Sequence, residues 1–416
     1  MKGNIIIENA TIVTPHGREA ARGSDMSKIA IVRNGCIIIT EGIISYAGPE
    51  EGRPMTRPDE HYDVVDACGY VALPGFVDSH THLIFGGFRP DEFQWRLQGD
   101  SYMSIMERGG GIQSTVNSTR TASKEDLKRK AQWFIDRMSE MGVTTVEAKS
   151  GYGLDSETEI KMLDAISELA GEPTQKVDIV ATFLGAHAVP KEFAGRTGEY
   201  VDLIINEMLP RVKGKAKCCD VFCEKNVFEL EDSRRLLKAA DAMGFSLKLH
   251  ADEIVTLGGG ELAAELGALS ADHLLHVSDR GIKEMADAGV VATLLPLTAF
   301  ALKEPYAPAR KFIDAGAAVA LATDLNPGSC FSGSIPLTIA LACIYMGMSV
   351  EEVITALTLN GAAALGMADE IGSLEAGKRG DVVLLGCDNY HILPYYVGMN
   401  CVKTTIHSGV IVTNNP

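Results

Sequence analysis

The chain changes its pattern of apolar and polar positions twice. Near its start, NIIIENATIV, KIAIVRNGCIII and EGIISYAG are short runs dense in Ile and Val without a helical period, and they predict strands. Asn34-Gly35, inside the second run, predicts a hairpin turn. The C-terminal stretch reads the same way, with GDVVLLG and then VKTTIHSGVIVT about Ser408-Gly409. Between these ends one phrase recurs. An amphipathic helix stops at a glycine (Gly142, Gly244, Gly267, Gly289, Gly316) and a β-branched apolar run follows at once. A glycine just past a helix end is a left-handed cap, and a continuous apolar run after it reads as a parallel strand covered on both faces. With GFVDSHTH, VDIVATFLGAH and CDVFCEK, the strands number eight. Two of the intervening helices open on capping patterns, Ser123-x-x-Asp126 and Ser156-x-x-Glu159.

Eight β/α units predict an α/β protein, a (β/α)8 TIM-like barrel whose chemistry lies at the C-terminal ends of its strands. The barrel is expected over residues 75–370, with residues 1–74 and 371–416 forming the two parts of a small β-sandwich domain. A doubly wound open sheet is the alternative, but no glycine-rich phosphate loop follows the first strand. RGGGIQ and LGGGEL lack both the Walker lysine and the GxGxxG spacing, and read as a loop and a helix start.

Composition narrows the function classes. Against 55 Asp and Glu stand 38 Lys and Arg, a net charge of −17 that disfavours a nucleic-acid surface or an anionic membrane as partner. An anionic substrate would therefore need a local basic residue. The apolar stretches Val290–Leu302 and Ile335–Gly347 are too short to span a bilayer, and MKGNIIIENATIV lacks the features of a secretory signal. Nine cysteines without framework spacing point to a reducing cytoplasm. The densest group, CCDVFC, reads as small apolar residues of a core strand.

Polar residues gather where the barrel would place its active site. Strand one ends in His80 and His82, two imidazoles one residue apart on the same strand face. Strands two, three, five, six and eight end in EAKSGYGLD, LGAHAVP, KLHADE, SADH and ATDLNPGS. His80, His82, His250 and Asp324 form a His3Asp set suited to one Zn or Fe ion with a position left for water. The bland alternative is four separately satisfied polar residues, which their shared place at strand ends disfavours. His16, His61, His391 and His407 lie in the β-rich ends and read as ordinary surface or core histidines.

HTH after strand one, one His after strand five and an Asp after strand eight resemble the pattern of the amidohydrolase superfamily. The phrases HTHLIFGGFRPDEFQWRLQGDSY, GGGIQSTV, EAKSGYGLD, TFLGAHAVP, LKLHADEI, SADHLLHVS and ATDLNPGS resemble, more specifically, the imidazolonepropionase family along nearly the whole barrel. That resemblance implies hydrolysis of 4-imidazolone-5-propanoate to N-formimidoyl-L-glutamate by a metal-activated water, in a homodimer. It implies that Glu253, His273 and Asp324 share the proton transfers, with Glu253 also touching substrate. Arg89 would bind the propionate, Tyr152 and His187 the ring or its carbonyl, and Asn326, Gly328 and Ser329 the opposite side and the product. Tyr102 is a further substrate contact on the same ground. Many amidohydrolases carry two metals bridged by a carboxylated lysine, a role Lys149 invites. The family implies one metal, so Lys149 reads as a loop support or hydrogen-bond partner. A deaminase of a cyclic amidine would share the metal set without requiring Arg89, and a non-catalytic scaffold would typically have lost a ligand.

Overall fold

The computed structural model describes residues 2–56, 61–100 and 110–416. Five strands precede the barrel: β1 (Ile5–Pro15), β2 (Ile29–Thr40), β3 (Ile43–Pro49), β4 (Asp63–Asp66) and β5 (Val71–Pro74). The barrel strands are β6 (Phe76–Asp78), β7 (Val143–Lys149), β8 (Asp178–Ala186), β9 (Cys218–Cys223), β10 (Ser246–Ala251), β11 (Ser270–His273), β12 (Val291–Leu294) and β13 (Val319–Leu321). β14 (Val382–Leu385), β15 (Val402–His407) and β16 (Val410–Asn414) follow.

β6 to β13 pair in sequence order, every neighbour parallel. The ring is brought nearly to closure just beyond the first and last strands. Thr81 bridges Leu325 in parallel, the Asp324 N–H donates to the His80 carbonyl at 3.0 Å, and the His82 N–H donates to the Leu325 carbonyl at 2.8 Å. These bonds set His80, His82 and Asp324 side by side at one rim. The strands are short and almost wholly buried, as continuous apolar runs require. Helix Lys124–Glu140 shows why the covering layer forms: Leu127, Ala131, Phe134, Ile135 and Met138 recur at helical spacing and are buried against the barrel core. Ser123 caps it, its hydroxyl accepting the Asp126 N–H.

The β-rich ends meet in a mixed sheet of order β16-β15-β14-β5-β1-β2-β3, with β4 paired to β1. Ile5, Ile7, Ile12, Ile37, Ile39, Val382 and Ile406 form a core of its own. Alternate residues such as Val13, Leu73 and Val383 join the barrel core instead. Gly142 lies where the two meet: its φ is +90°, and a Cβ there would stand 2.9 Å from Phe76 and from Val383.

Two local expectations are corrected. Asn34-Gly35 is not a hairpin turn. It sits inside β2 at an irregularity in the register with β1, between the Gly35–Ala10 and Val32–Ile12 pairs, and Asn34 takes a φ of 48°. The turn between β2 and β3 is Glu41-Gly42, both at positive φ, whereas Ser408-Gly409 does join β15 to β16. The helix Ser156–Ala170 is capped by Asp155, whose carboxylate accepts the Thr158 N–H at 2.8 Å, and not by Ser156. Glu159 is thereby released for another task.

Candidate active site

The rim of the barrel holds a cluster of imidazoles with carboxylates behind them. His80 Nε2 and His82 Nε2 each lie 3.6 Å from Asp324 Oδ1, and His82 Nε2 lies 3.3 Å from His250 Nε2. All four residues are at most 3% exposed. Asp324 takes a φ of 51°, which turns it into the rim just past β13, and its other oxygen accepts the Thr298 hydroxyl at 2.6 Å.

Each of two histidines is oriented from behind. His80 Nδ1 lies 2.6 Å from Asp272 Oδ2, and His250 Nδ1 lies 3.1 Å from Asp220 Oδ2. A carboxylate on Nδ1 fixes the proton there and leaves Nε2 as a lone pair facing the centre. Lys149 Nζ lies under both pairs, 2.7 Å from Asp220, 2.8 Å from Glu147 and 3.7 Å from Asp272. Its place in this buried network agrees with a hydrogen-bonding, supporting part. Lys248 adds a second ammonium, 3.5 Å from Asp272 and hydrogen-bonded to the Ser270 hydroxyl at 2.7 Å.

This donor set fits a metal ion. Among the described residues His80 Nε2 and Asp324 Oδ1 have no hydrogen-bond partner although both are buried, and leaving such atoms unpaired is costly. His80, His82 and Asp324 place one ligand atom each within 4.8 Å of the others, as do His82, His187 and His250. Burial holds His80 and His82 well below the ordinary imidazole range, in the neutral form a metal requires. Burial pushes Asp324 up to about 6 despite its hydrogen bond from Thr298. His250 is raised because Asp220 outweighs the cost of burial.

Above this cluster opens a cavity of about 310 Å³, at the lower end of small-ligand sites. His82, Arg89, Tyr152, His187, His250, Glu253, His273, Asp324, Asn326, Gly328 and Ser329 all line it, with His80 directly beneath. Tyr102 lies outside the described residues. Glu253 Oε1 is 3.6 Å from His273 Nδ1. Burial, and then the neighbouring Asp324, push Glu253 up to about 8. His187 stacks on His82 with centroids 4.9 Å apart, and its Nδ1 lies 3.0 Å from the Gly151 carbonyl. Asn326 lines the cavity, yet its amide is occupied within its own loop, accepting from the Gly328 and Ser329 N–H groups at 2.8 Å and donating to the Asp324 carbonyl.

The sequence assigned no part in the site to Asp220, Asp272, Glu159, Glu224 or Arg96. Asp220 stands inside CCDVFC, where the cysteines drew attention; a carboxylate in an otherwise apolar strand was the available signal. Glu159 accepts the N–H groups of Gly151, Gly153 and Leu154 at 2.8–3.0 Å and shapes the loop that carries Tyr152. Glu224 accepts the Ile254 N–H at 2.8 Å, next to Glu253.

Residues 223–412 match the model of the amidohydrolase family. An imidazolonepropionase of Phocaeicola vulgatus is 65% identical over 417 residues, covering 100% of both chains. One of Bacteroides thetaiotaomicron is 64% identical over 413 residues, covering 99% of each. Among solved structures, a 5-methylcytosine deaminase from Klebsiella pneumoniae superposes with a TM-score of 0.73 at 17% identity, covering 99% of this chain and 98% of the other, a likeness of fold alone. With two thirds of its residues shared from end to end, and the amidohydrolase barrel carrying a histidine-rich candidate metal site at its rim, this chain belongs to the imidazolonepropionase family.

Proposed function

We propose that this protein opens the ring of 4-imidazolone-5-propanoate by hydrolysing its cyclic amide, releasing N-formimidoyl-L-glutamate in histidine degradation. The observation that carries the reading is that one cavity joins the buried His3Asp set to a partly buried guanidinium, that of Arg89. His80, His82, His250 and Asp324 would hold one divalent or trivalent ion, Zn or Fe. Such an ion, when bound, supplies Lewis acidity and brings the pKa of water to about 7.

The chain's own residues supply the rest. Arg89 offers a planar fork that matches a carboxylate, and its Nε has no partner among the described residues. Tyr152 and His187 form one wall and hold the ring flat against it, their own rings 5.1 Å apart. Gly328 and Ser329, on the loop that Asn326 ties together, form the facing wall and retain the product. Glu253 and His273 sit together beside the cluster, with Asp324 adjacent. Glu253, 3.6 Å from His273 and lining the same cavity, is placed to take a proton from water and return it to the departing ring nitrogen.

We place the enzyme in the cytoplasm, on its nine unpaired cysteines. No helix of the described residues is long and apolar enough to cross a membrane. The family resemblance further supports a homodimer, and residues 1–74 and 371–416 acting as one domain beside the 75–370 barrel. The test couples metal content to turnover. One metal per chain, rapid loss of 4-imidazolone-5-propanoate and a large rise in KM for Arg89→Ala are expected. Two metals per chain, ammonia release from a cyclic amidine, or no turnover of this substrate would overturn the reading.

A further inference from the structure

Two guanidiniums close on one glycine of the cavity wall. Arg89 precedes the helix Pro90–Leu97, and Arg96 stands on its last turn. Positions 89, 92 and 96 are three and four residues apart, so Arg89, Glu92 and Arg96 share a helix face, and all three line the cavity. Arg96 Nη2 donates to the Gly328 carbonyl at 3.0 Å. Arg89 Nη2 fills the space beside the Gly328 Cα, 1.8 Å from where a Cβ would stand. Phe93 and Phe331, whose rings meet edge to face at 5.1 Å, flank the Arg96 guanidinium with centroids 5.5 and 5.9 Å away. Those rings and the carbonyl hold it in place.

The charges there are unequal. Glu92 lies 3.3 Å from Arg89 and also accepts the Gly111 N–H at 3.0 Å. Among the described residues no carboxylate is paired with Arg96. Burial, then the charge of Arg89, hold Arg96 below its ordinary pKa. Among the described residues Glu92 is thus the one carboxylate paired with either of these two cavity-facing cations, in a protein whose net charge is −17.

We propose that Arg96 is a second guanidinium for the ligand's carboxylate and determines the selection of a carboxylate over an uncharged side chain. The proposal rests on the reading that the ligand carries a propanoate arm. Arg89 alone is already partly satisfied by Glu92 and would discriminate weakly. With Arg96 beside it, an uncharged arm leaves two partly buried cations with only Glu92 paired to them, which rejects that ligand more than it rewards the anion.

The experiment titrates the metal-loaded full chain with imidazole-4-propanoate and, separately, its carboxamide, by calorimetry. Wild type, Arg96→Gln and Arg96→Lys are compared. The wild type is expected to prefer the propanoate, Arg96→Gln to lose about tenfold in propanoate affinity with less than about twofold for the carboxamide, and Arg96→Lys to fall between. Equal loss of both ligands would assign Arg96 to packing and overturn the proposal, as would unchanged propanoate affinity. Turnover of 4-imidazolone-5-propanoate by the same wild-type preparation separates the two readings. Turnover together with a selectivity indifferent to Arg96 removes this inference and keeps the function. Carboxylate selectivity that depends on Arg96, without turnover, keeps the inference and removes the function.

Discussion

His80 Nδ1 and Asp272 Oδ2 lie 2.6 Å apart inside the barrel, both residues wholly buried and 192 positions apart in the chain. Asp272 belongs to the sixth strand of the ring and His80 follows the first, so the pair spans the interior beneath the rim. The Ser270 hydroxyl holds the other carboxylate oxygen at 2.6 Å.

Asp272→Asn keeps the shape and removes the charge behind His80. Metal affinity is expected to fall about 10- to 100-fold, measured by competition with a chelator. An unchanged affinity would show that His80 is oriented without Asp272.

Gly328 is required for what it lacks. A methyl group there would displace the Arg89 guanidinium, the movable end of a flexible side chain, and not the backbone. Gly328→Ala is therefore expected to fold with near wild-type thermal stability and to lose about 10²-fold in kcat/KM, mainly through KM. A large drop in melting temperature instead would mean that the loop itself cannot accept the carbon.

Glu159 places Tyr152 from below. In Glu159→Gln one oxygen can still serve Gly153 and Leu154, but an amide NH2 then meets the Gly151 N–H. The unmatched donors cost about 1–3 kcal/mol, and the strain falls on the segment whose Gly151 carbonyl meets His187. KM should rise with metal content unchanged. A variant with wild-type KM would sever Glu159 from substrate binding.

The joint between small sheet and barrel should respond to alkali. His407 lies 3.0 Å from Asp381 and 3.3 Å from Asp178, with Arg379 bound to both carboxylates. Burial opposes the charge on His407, but the Asp381 carboxylate prevails and raises it to about 9. A pKa raised above the unfolded value of about 6.5 stabilises fully below that pH and ceases to do so as pH passes about 9. The free energy of unfolding should fall by roughly 3 kcal/mol across that window, and His407→Gln should flatten the profile. Equal slopes for variant and wild type would contradict this.

The barrel was legible because its signals are local. Helix, capping glycine and apolar strand repeat along the chain, and the polar residues that end each strand announce the rim. Even there, near neighbours could mislead. Asn34-Gly35 has the composition of a turn, yet its run pairs with β1 on both sides of it and absorbs the pair as an irregularity. Ser156 and Glu159 have the spacing of a capping box, yet Asp155 is one position better placed, and the Tyr152 loop takes the glutamate.

By itself the sequence set out the metal-ligand candidates: two imidazoles after the first strand, one after the fifth and an aspartate after the eighth. Residue type and strand period suffice for that. Only the tertiary structure decided which carboxylate backs which histidine, that Lys149 lies beneath both pairs, and that Arg89 and Arg96 converge on Gly328. Those relations join residues tens to hundreds of positions apart. They exist only when eight strands close in register, and no pattern within a single strand encodes where its neighbours' side chains will stand.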